Sequence, residues 1–137
     1  MTSSWNRSCS HDTTADPARI WTLLADVPGW KAWNAGIAAI AIEGAFVAGT
    51  QFSMTLPDGP VLNSRLVDVQ APWRFTDETW IDGTVVRVEH ALEPLPDGGC
   101  RVRFAAQAEG PDAAAIGEAA SADFAQVLQA LARLAEQ

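Results

Sequence analysis

Apolar residues recur with a helical period near the N-terminus and again at the C-terminus, and with a two-residue period between these regions. The first helical stripe consists of Ile20, Leu23, Leu24 and Val27. Its i, i+3, i+4, i+7 spacing predicts an amphipathic helix of about three turns. Asp16 is a suitable N-cap, and Pro17 suits the first helical position because its missing N–H would have no partner there. Pro28-Gly29 ends this helix.

Two short elements flank the first helix. Residues 5–13 alternate weakly, which favours a strand with Trp5, Cys9 and His11 on one face. After the Pro-Gly break, Trp30 to Asn34 is long enough for one short second helix. Gly36 then ends the helical region, and the residues after it have the two-residue period of strands.

Six further strands are predicted between Gly36 and Pro111, because alternating runs are separated by turn residues such as Asp58-Gly59 and Asp82-Gly83. The predicted strands are Ile37–Glu43, Gln51–Leu56, Val61–Val69, Trp73–Ile81, Thr84–Leu92 and Cys100–Glu109. Short turns between successive strands favour an antiparallel meander. With the N-terminal strand, the sheet has seven strands.

The C-terminal region predicts one long helix that Asp112 can cap. Its apolar positions are Ile116, Ala120, Phe124, Val127, Leu128, Leu131 and Leu134, and Gly117 is its one weak position. The element order therefore predicts an α+β fold: a curved seven-stranded antiparallel sheet wrapped around a long C-terminal helix, with two short helices between strands 1 and 2. Because a strongly twisted sheet cannot close perfectly on one helix, we expect space between them.

The composition favours a globular protein and disfavours binding to nucleic acid. The 137 residues suit one domain, residues 1–137, and 48% of them are hydrophobic. The formal net charge is −8, and the nine Lys and Arg residues are scattered. A phosphate backbone would repel such a chain, so we expect no nucleic-acid partner.

Membrane insertion, metals and cofactors are not indicated either. No apolar run reaches the roughly 18 residues of a membrane span, and the N-terminal residues lack the apolar core of a signal peptide. We therefore expect a cytoplasmic protein without stable membrane insertion. Cys9 and Cys100 form neither a zinc motif nor a disulfide framework, and no cofactor motif is present. The sequence gives no indication of oligomeric state.

Several short motifs resemble the START-like (SRPBCC) superfamily, whose helix-grip fold is shared by the Bet v 1 allergen and bacterial polyketide cyclase/dehydrase proteins. The resemblance runs from about Trp5 to the C-terminus. The motifs are Ala15-Asp16-Pro17 with Ile20-Trp21, Trp30-x-x-Trp33-Asn34, Gly49-Thr50-Gln51-Phe52, Val67-Asp68-Val69 with Pro72-Trp73-Arg74-Phe75, and His90 with Leu92-Glu93-Pro94-Leu95. These motifs are structural and none is a catalytic signature, so they support an inference about the fold more strongly than one about the function.

The resemblance implies a deep, largely apolar cavity between the sheet and the long helix, which would hold a small hydrophobic molecule such as a lipid or a polyketide-like ring. Strand and helix periodicity then selects the inward-facing side chains. The candidate ligand-binding residues are Trp30, Trp33, Phe52, Met54, Leu66, Phe75, Val88, His90, Phe104, Phe124 and Leu128. Trp30 and Trp33 could either form a wall or lid of this cavity or fill it.

Few polar residues interrupt the apolar positions, and they are the candidates for chemistry. His90 lies on the apolar face of its strand, and His11 lies on that of the first strand. Asp77 and Glu78 alternate, so one of them should point inward, where a carboxylate near a histidine could act as an acid or base. Catalytic residues thus stay open, with His90, Asp77 and His11 as candidates.

Three classes of function remain open from the sequence. The dominance of apolar inward positions favours binding of a small hydrophobic molecule without chemistry. The alternative is a polyketide cyclase or dehydratase, in which His90, helped by a carboxylate, would remove a proton next to a carbonyl group. A protein-interaction module is the third possibility.

Overall fold

A computed structural model describes residues 3–137 and contains a seven-stranded antiparallel sheet. The strands lie in the order β1-β7-β6-β5-β4-β3-β2, so each strand after β2 pairs with its predecessor and β1 closes the other edge against β7. Their bounds are β1 Ser3–Thr13, β2 Ala39–Ile42, β3 Gln51–Thr55, β4 Val61–Gln70, β5 Arg74–Ile81, β6 Thr84–Pro94 and β7 Cys100–Gly110.

The helices are α1 Pro17–Ala25, a 3₁₀ helix Val27–Ala32, α2 Ala113–Ser121 and α3 Phe124–Ala135. Asp16 caps α1, because its Oδ1 accepts a hydrogen bond from the backbone N–H of Arg19 at 2.8 Å. Pro17 occupies the first turn as expected. The helix-grip architecture predicted from the sequence is confirmed.

The structure corrects two details of the predicted helices. The second short helix begins at Val27 instead of Trp30 and is a 3₁₀ helix, which suits a segment with proline and glycine in its first turn. The C-terminal helix is divided by a turn at Ala122 and Asp123. The division follows Gly117, a poor helix former, and Ser121, whose hydroxyl bonds back to the Gly117 carbonyl at 2.8 Å.

The helices cover one face of the sheet, which we call the inner face; the opposite side is the outer face. Along β7, even-numbered residues from Cys100 to Gly110 are buried, and most odd-numbered ones are exposed. On the edge strand, Trp5 reaches α2 and packs against Gly117, where a Cβ atom would overlap the indole ring. The glycine that weakens the helix is therefore the one that lets β1 approach it.

No helix within residues 3–137 is both long enough and apolar enough to cross a bilayer. The main hydrophobic core lies between the inner face and the helices. That core contains most of the candidate ligand-binding residues.

Candidate functional site

The centre of the inner face carries a buried pair of polar side chains, Asp77 on β5 and His90 on β6. Nε2 of His90 lies 3.1 Å from Oδ2 of Asp77, and each side chain is 10% exposed. The strand register produces this contact: Phe75 pairs with His90 and Asp77 pairs with Val88, so Asp77 and His90 are diagonal neighbours on one face.

The environment of His90 is aromatic on both sides. Its imidazole stacks on Phe75, with ring centroids 4.1 Å apart and planes 9° apart, and meets Phe104 edge-on at 4.5 Å. In the tautomer in which Nε2 of His90 donates a hydrogen bond to the Asp77 carboxylate, Nδ1 of the imidazole is an acceptor. Nδ1 is buried and has no hydrogen-bond partner among the described residues.

Both tryptophans that the sequence left undecided are buried in this cluster. Trp30 is 5% exposed and Trp33 is 4% exposed. The Trp30 ring lies 5.5 Å from Phe52 and 6.0 Å from Phe75, between centroids. Its Nε1 donates to the Leu24 carbonyl at 2.9 Å, which ties the 3₁₀ helix to the end of α1.

Trp33 contributes a second unpartnered polar atom. Its ring lies 5.9 Å from that of Trp30, and its buried Nε1 has no hydrogen-bond partner within residues 3–137. The two tryptophans therefore fill space between the sheet and the helices, and they do not stand at its edge. We call this group the aromatic cluster: Trp30, Trp33, Phe52, Phe75, His90, Phe104 and Phe124.

The remaining predicted lining residues surround the aromatic cluster. Leu66 and Leu128 are buried, and Met54 and Val88 are half-buried against the same core. Phe124 at the start of α3 meets Phe104 edge-on at 5.6 Å, which connects the C-terminal helix to β7. The structure thus brings all eleven predicted lining residues to one side of the sheet.

Sequence reasoning missed the residues that cover Phe75 from the far side. Phe46, in the loop between β2 and β3, lies 5.0 Å from Phe75, and Trp21 of α1 lies 5.9 Å from Phe46. Both side chains are half-buried. The available signal for Phe46 was a single aromatic residue in a loop that is half glycine and alanine.

A second polar pair continues the Asp77–His90 line along the inner face. The hydroxyls of Ser64 and Thr79 lie 2.6 Å apart and are buried, two residues along the strands from the Leu66–Asp77 pair and on the same face. The two hydroxyls therefore share one hydrogen bond, which commits Ser64 to Thr79. The inner face therefore presents a polar line of four side chains within an apolar core.

The other candidate residues lie away from this line. Glu78 points to the outer face, where it accepts hydrogen bonds from Arg87 at 2.6 Å and from Arg65 at 3.3 Å. His11 is half-buried on the edge strand opposite Val102, and β7 separates its strand from that of His90. The structure does not join His11 to the buried pair. Within residues 3–137, no three His, Cys, Asp or Glu side chains converge as metal ligands.

Comparisons with solved structures agree with this architecture. Norcoclaurine synthase from Thalictrum flavum superposes with a TM-score of 0.78 at 16% identity, over 99% of this chain and 88% of that one. The same enzyme in complex with dopamine and hydroxybenzaldehyde gives 0.76 at 16% identity, over 97% and 87% of the two chains. An uncharacterised protein from Rhizobium leguminosarum gives 0.75 at 16% identity, over 99% and 97%.

At these identities the solved structures establish a shared fold. A search of curated protein sequences finds no significant match. The profile of the polyketide cyclase/dehydrase and lipid transport family, in contrast, matches residues 8–136, nearly the whole chain. The chain therefore belongs to the polyketide cyclase/dehydrase and lipid transport family, within the START-like superfamily that its sequence motifs resemble.

Proposed function

We propose that the protein binds a small, apolar, ring-containing molecule that carries a hydroxyl or carbonyl group, between the inner face of the sheet and the helices. The observation that carries the proposal is the imidazole of His90. It is buried among aromatic rings and hydrogen-bonded to Asp77, and its Nδ1 has no partner within residues 3–137.

A polar atom without a hydrogen-bond partner in an apolar interior lowers the stability of the folded protein by about 1–3 kcal/mol. A core that binds no ligand has no use for such an atom. The aromatic cluster contains two such atoms of opposite character. Nδ1 of His90 can accept a hydrogen bond, and Nε1 of Trp33 can donate one. A ligand with a hydroxyl hydrogen or a carbonyl oxygen would remove one or both penalties, and its ring would replace aromatic contacts.

Relatives support the ligand class. The family is named for polyketide cyclases, dehydrases and lipid transport. The structurally similar norcoclaurine synthase has been solved with dopamine and hydroxybenzaldehyde, which are small aromatic molecules with hydroxyl groups.

Binding requires that side chains of the aromatic cluster make room, because the cluster occupies the space between sheet and helices. The loop between β2 and β3 is the best route. Its Phe46 and the Trp21 side chain of α1 are only half-buried, yet they cover Phe75 and so the stacked His90. Movement of Phe46 would expose the centre of the cluster without breaking the sheet.

A pair of ligands of nearly equal shape tests the proposal. Isothermal titration calorimetry measures the dissociation constants of p-cresol and p-xylene. The first has a hydroxyl group where the second has a methyl group. We expect p-cresol to bind about fivefold more tightly, as a net hydrogen bond of about 1 kcal/mol implies. His90→Phe keeps a ring in place but removes Nδ1, and it should abolish the difference between the ligands.

Trp33→Phe removes the other unpartnered atom and serves if His90→Phe is poorly folded. Loss of the p-cresol preference in either variant supports the proposal. Binding of neither ligand to the wild-type protein, or an unchanged preference in both variants, overturns it.

The Asp77–His90 pair also favours a second function, an enzyme that removes a proton next to a carbonyl group. A carboxylate that holds one imidazole nitrogen positions the other as a base. The test follows deuterium exchange at the carbon beside the carbonyl of α-tetralone in D₂O by NMR. Acceleration by the wild type but not by Asp77→Asn would establish this chemistry, and equal rates with and without protein would exclude it for this substrate.

A further inference from the structure

The outer face of the sheet carries a half-open hollow of about 370 Å³ over β2 to β5, on the side opposite the helices. It shares Phe52 and Ser64 with the interior site described above, and its other lining residues lie outside that site. Its lining residues are Ala41, Glu43, Gln51, Phe52, Ser53, Asn63, Ser64, Arg65, Glu78 and Trp80.

The strand register explains why a hollow forms here. One row across the sheet contains short side chains, since Ala41 pairs with Ser53 and Ser53 pairs with Asn63. The next row contains long ones, since Gln51 pairs with Arg65 and Arg65 pairs with Glu78. The short row is therefore the floor of a trough, and the long row is one of its walls.

Trp80 closes the β5 end of the trough. It is 62% exposed, which is unusual for so large an apolar side chain. Its neighbour on β5, Glu78, is buried because Arg65 and Arg87 pair with it from both sides. These ion pairs leave the centre of the trough with little net charge while they hold the Arg65 guanidinium in place.

We propose that this trough is a second binding site, for a neutral saccharide. A pyranose ring has an apolar C–H face that stacks on an exposed indole, and Trp80 offers one. Sugar hydroxyls both donate and accept hydrogen bonds, and the trough provides both functions through the side chains of Gln51, Ser53 and Asn63.

A phosphate ligand is disfavoured, because the Arg65 charge is already paired with Glu78 and Glu43 adds a further negative charge to the lining. The Glu43 carboxylate can also accept hydrogen bonds from sugar hydroxyls. The length of the trough also suits a saccharide. Four adjacent strands span about 14 Å at the usual strand spacing, which accommodates two linked pyranose rings. The ligand class is therefore a neutral disaccharide or the terminal two sugar residues of an oligosaccharide.

Titration followed by ¹H–¹⁵N NMR tests the assignment with cellobiose, maltose and N,N′-diacetylchitobiose as probes. At least one probe should shift the Trp80 indole signal and the amide signals of Ser53 and Asn63. Trp80→Ala should abolish the amide shifts. Trp73→Ala is the matched control, because Trp73 is also exposed, at 46%, but lies outside the trough.

Asn63→Leu, which fills the floor of the trough at an exposed position, provides a second variant if Trp80→Ala folds poorly. The proposal fails if none of the disaccharides shifts these signals, if both variants bind as the wild type does, or if p-xylene shifts the same signals as strongly. His90→Phe should leave saccharide binding unchanged, since the two sites lie on opposite faces of the sheet.

Discussion

His90 and Asp77 form a hydrogen-bonded pair across neighbouring strands, with Nε2 and Oδ2 3.1 Å apart and both side chains nine-tenths buried. The pair lies on the inner face, where nearly every neighbouring side chain is apolar. Such a pair is costly to bury, so it indicates a role that an apolar pair could not perform. We assign that role to orientation of the imidazole, which presents Nδ1 to the aromatic cluster.

His90→Ala should leave the fold intact and lower the free energy of unfolding by about 1–3 kcal/mol. The loss has two sources: the hydrogen bond to Asp77 and the stack on Phe75. Chemical denaturation of the wild type, His90→Ala, Asp77→Ala and the double variant gives the coupling energy of the pair. We expect a coupling of about 1–3 kcal/mol. A coupling of zero would mean that the pair is not formed, and failure of His90→Ala to fold would make His90 a required core residue.

Gly117→Ala should destabilise the protein even though alanine is the better helix former by about 1 kcal/mol. A Cβ atom at this position would overlap the Trp5 ring. We expect a net loss of about 1–3 kcal/mol, measured by thermal denaturation, because the edge strand must shift away from α2.

The matched background is Trp5→Ala, which removes the ring that the new methyl group would meet. In this background Gly117→Ala should become neutral or stabilising. Destabilisation of equal size in both backgrounds would show that the glycine is needed for the helix itself and not for the contact.

Cys9 should react with iodoacetamide faster than Cys100. Burial raises the pKa of the Cys100 thiol, so less of the reactive thiolate forms there, whereas Cys9 is half-buried. Mass spectrometry after timed alkylation measures both rates, and Cys9→Ser identifies the slower site. The cysteines should not form a bond with each other, since Cys9 pairs with Phe104 and Cys100 pairs with Thr13. Equal alkylation rates would contradict this arrangement. So would an intact chain whose mass is lower by two hydrogen atoms, which would indicate a disulfide bond.

Asp12 should titrate below its ordinary pKa of 3.8, because its carboxylate accepts two hydrogen bonds from the Arg101 guanidinium, at 2.7 and 3.0 Å. A lowered carboxyl pKa stabilises the folded state above the unfolded pKa, and this contribution is lost as the pH falls through the folded value. NMR titration measures the shift. Arg101→Met should return the pKa to its ordinary value, whereas Arg103→Met, which removes the neighbouring pair with Glu89, should leave it unchanged.

The fold was predictable because local signals agree with one another. The Asp16-Pro17 cap, the Asp-Gly turns and the two-residue period all favour the elements that form, and the order of elements leaves one way to cover the sheet. The break between α2 and α3 was not predictable in the same way. It combines a local hydrogen bond, from the Ser121 hydroxyl to the Gly117 carbonyl, with a tertiary contact between Ser121 and Arg7 of β1, which the sequence pattern does not encode.

The candidate site was predictable in its membership but not in its contacts. Strand parity placed Asp77 and His90 on one face, yet their distance depends on the register between β5 and β6. The alternation of side chains along strands does not predict where loop residues lie, so the contact of Phe46 with Phe75 was missed. Whether Trp30 and Trp33 line a space or fill it depends on side-chain packing, which no periodicity encodes.

The central claim is that the interior of this protein binds a small apolar molecule. Native mass spectrometry of the protein purified from the cells that produce it, followed by denaturing extraction, tests this claim most directly. We expect one small apolar, oxygen-bearing molecule per chain in the wild-type protein and its loss in His90→Phe. A bare chain mass in every wild-type preparation would contradict stable binding, and an adduct that persists in His90→Phe would contradict the assignment of the site.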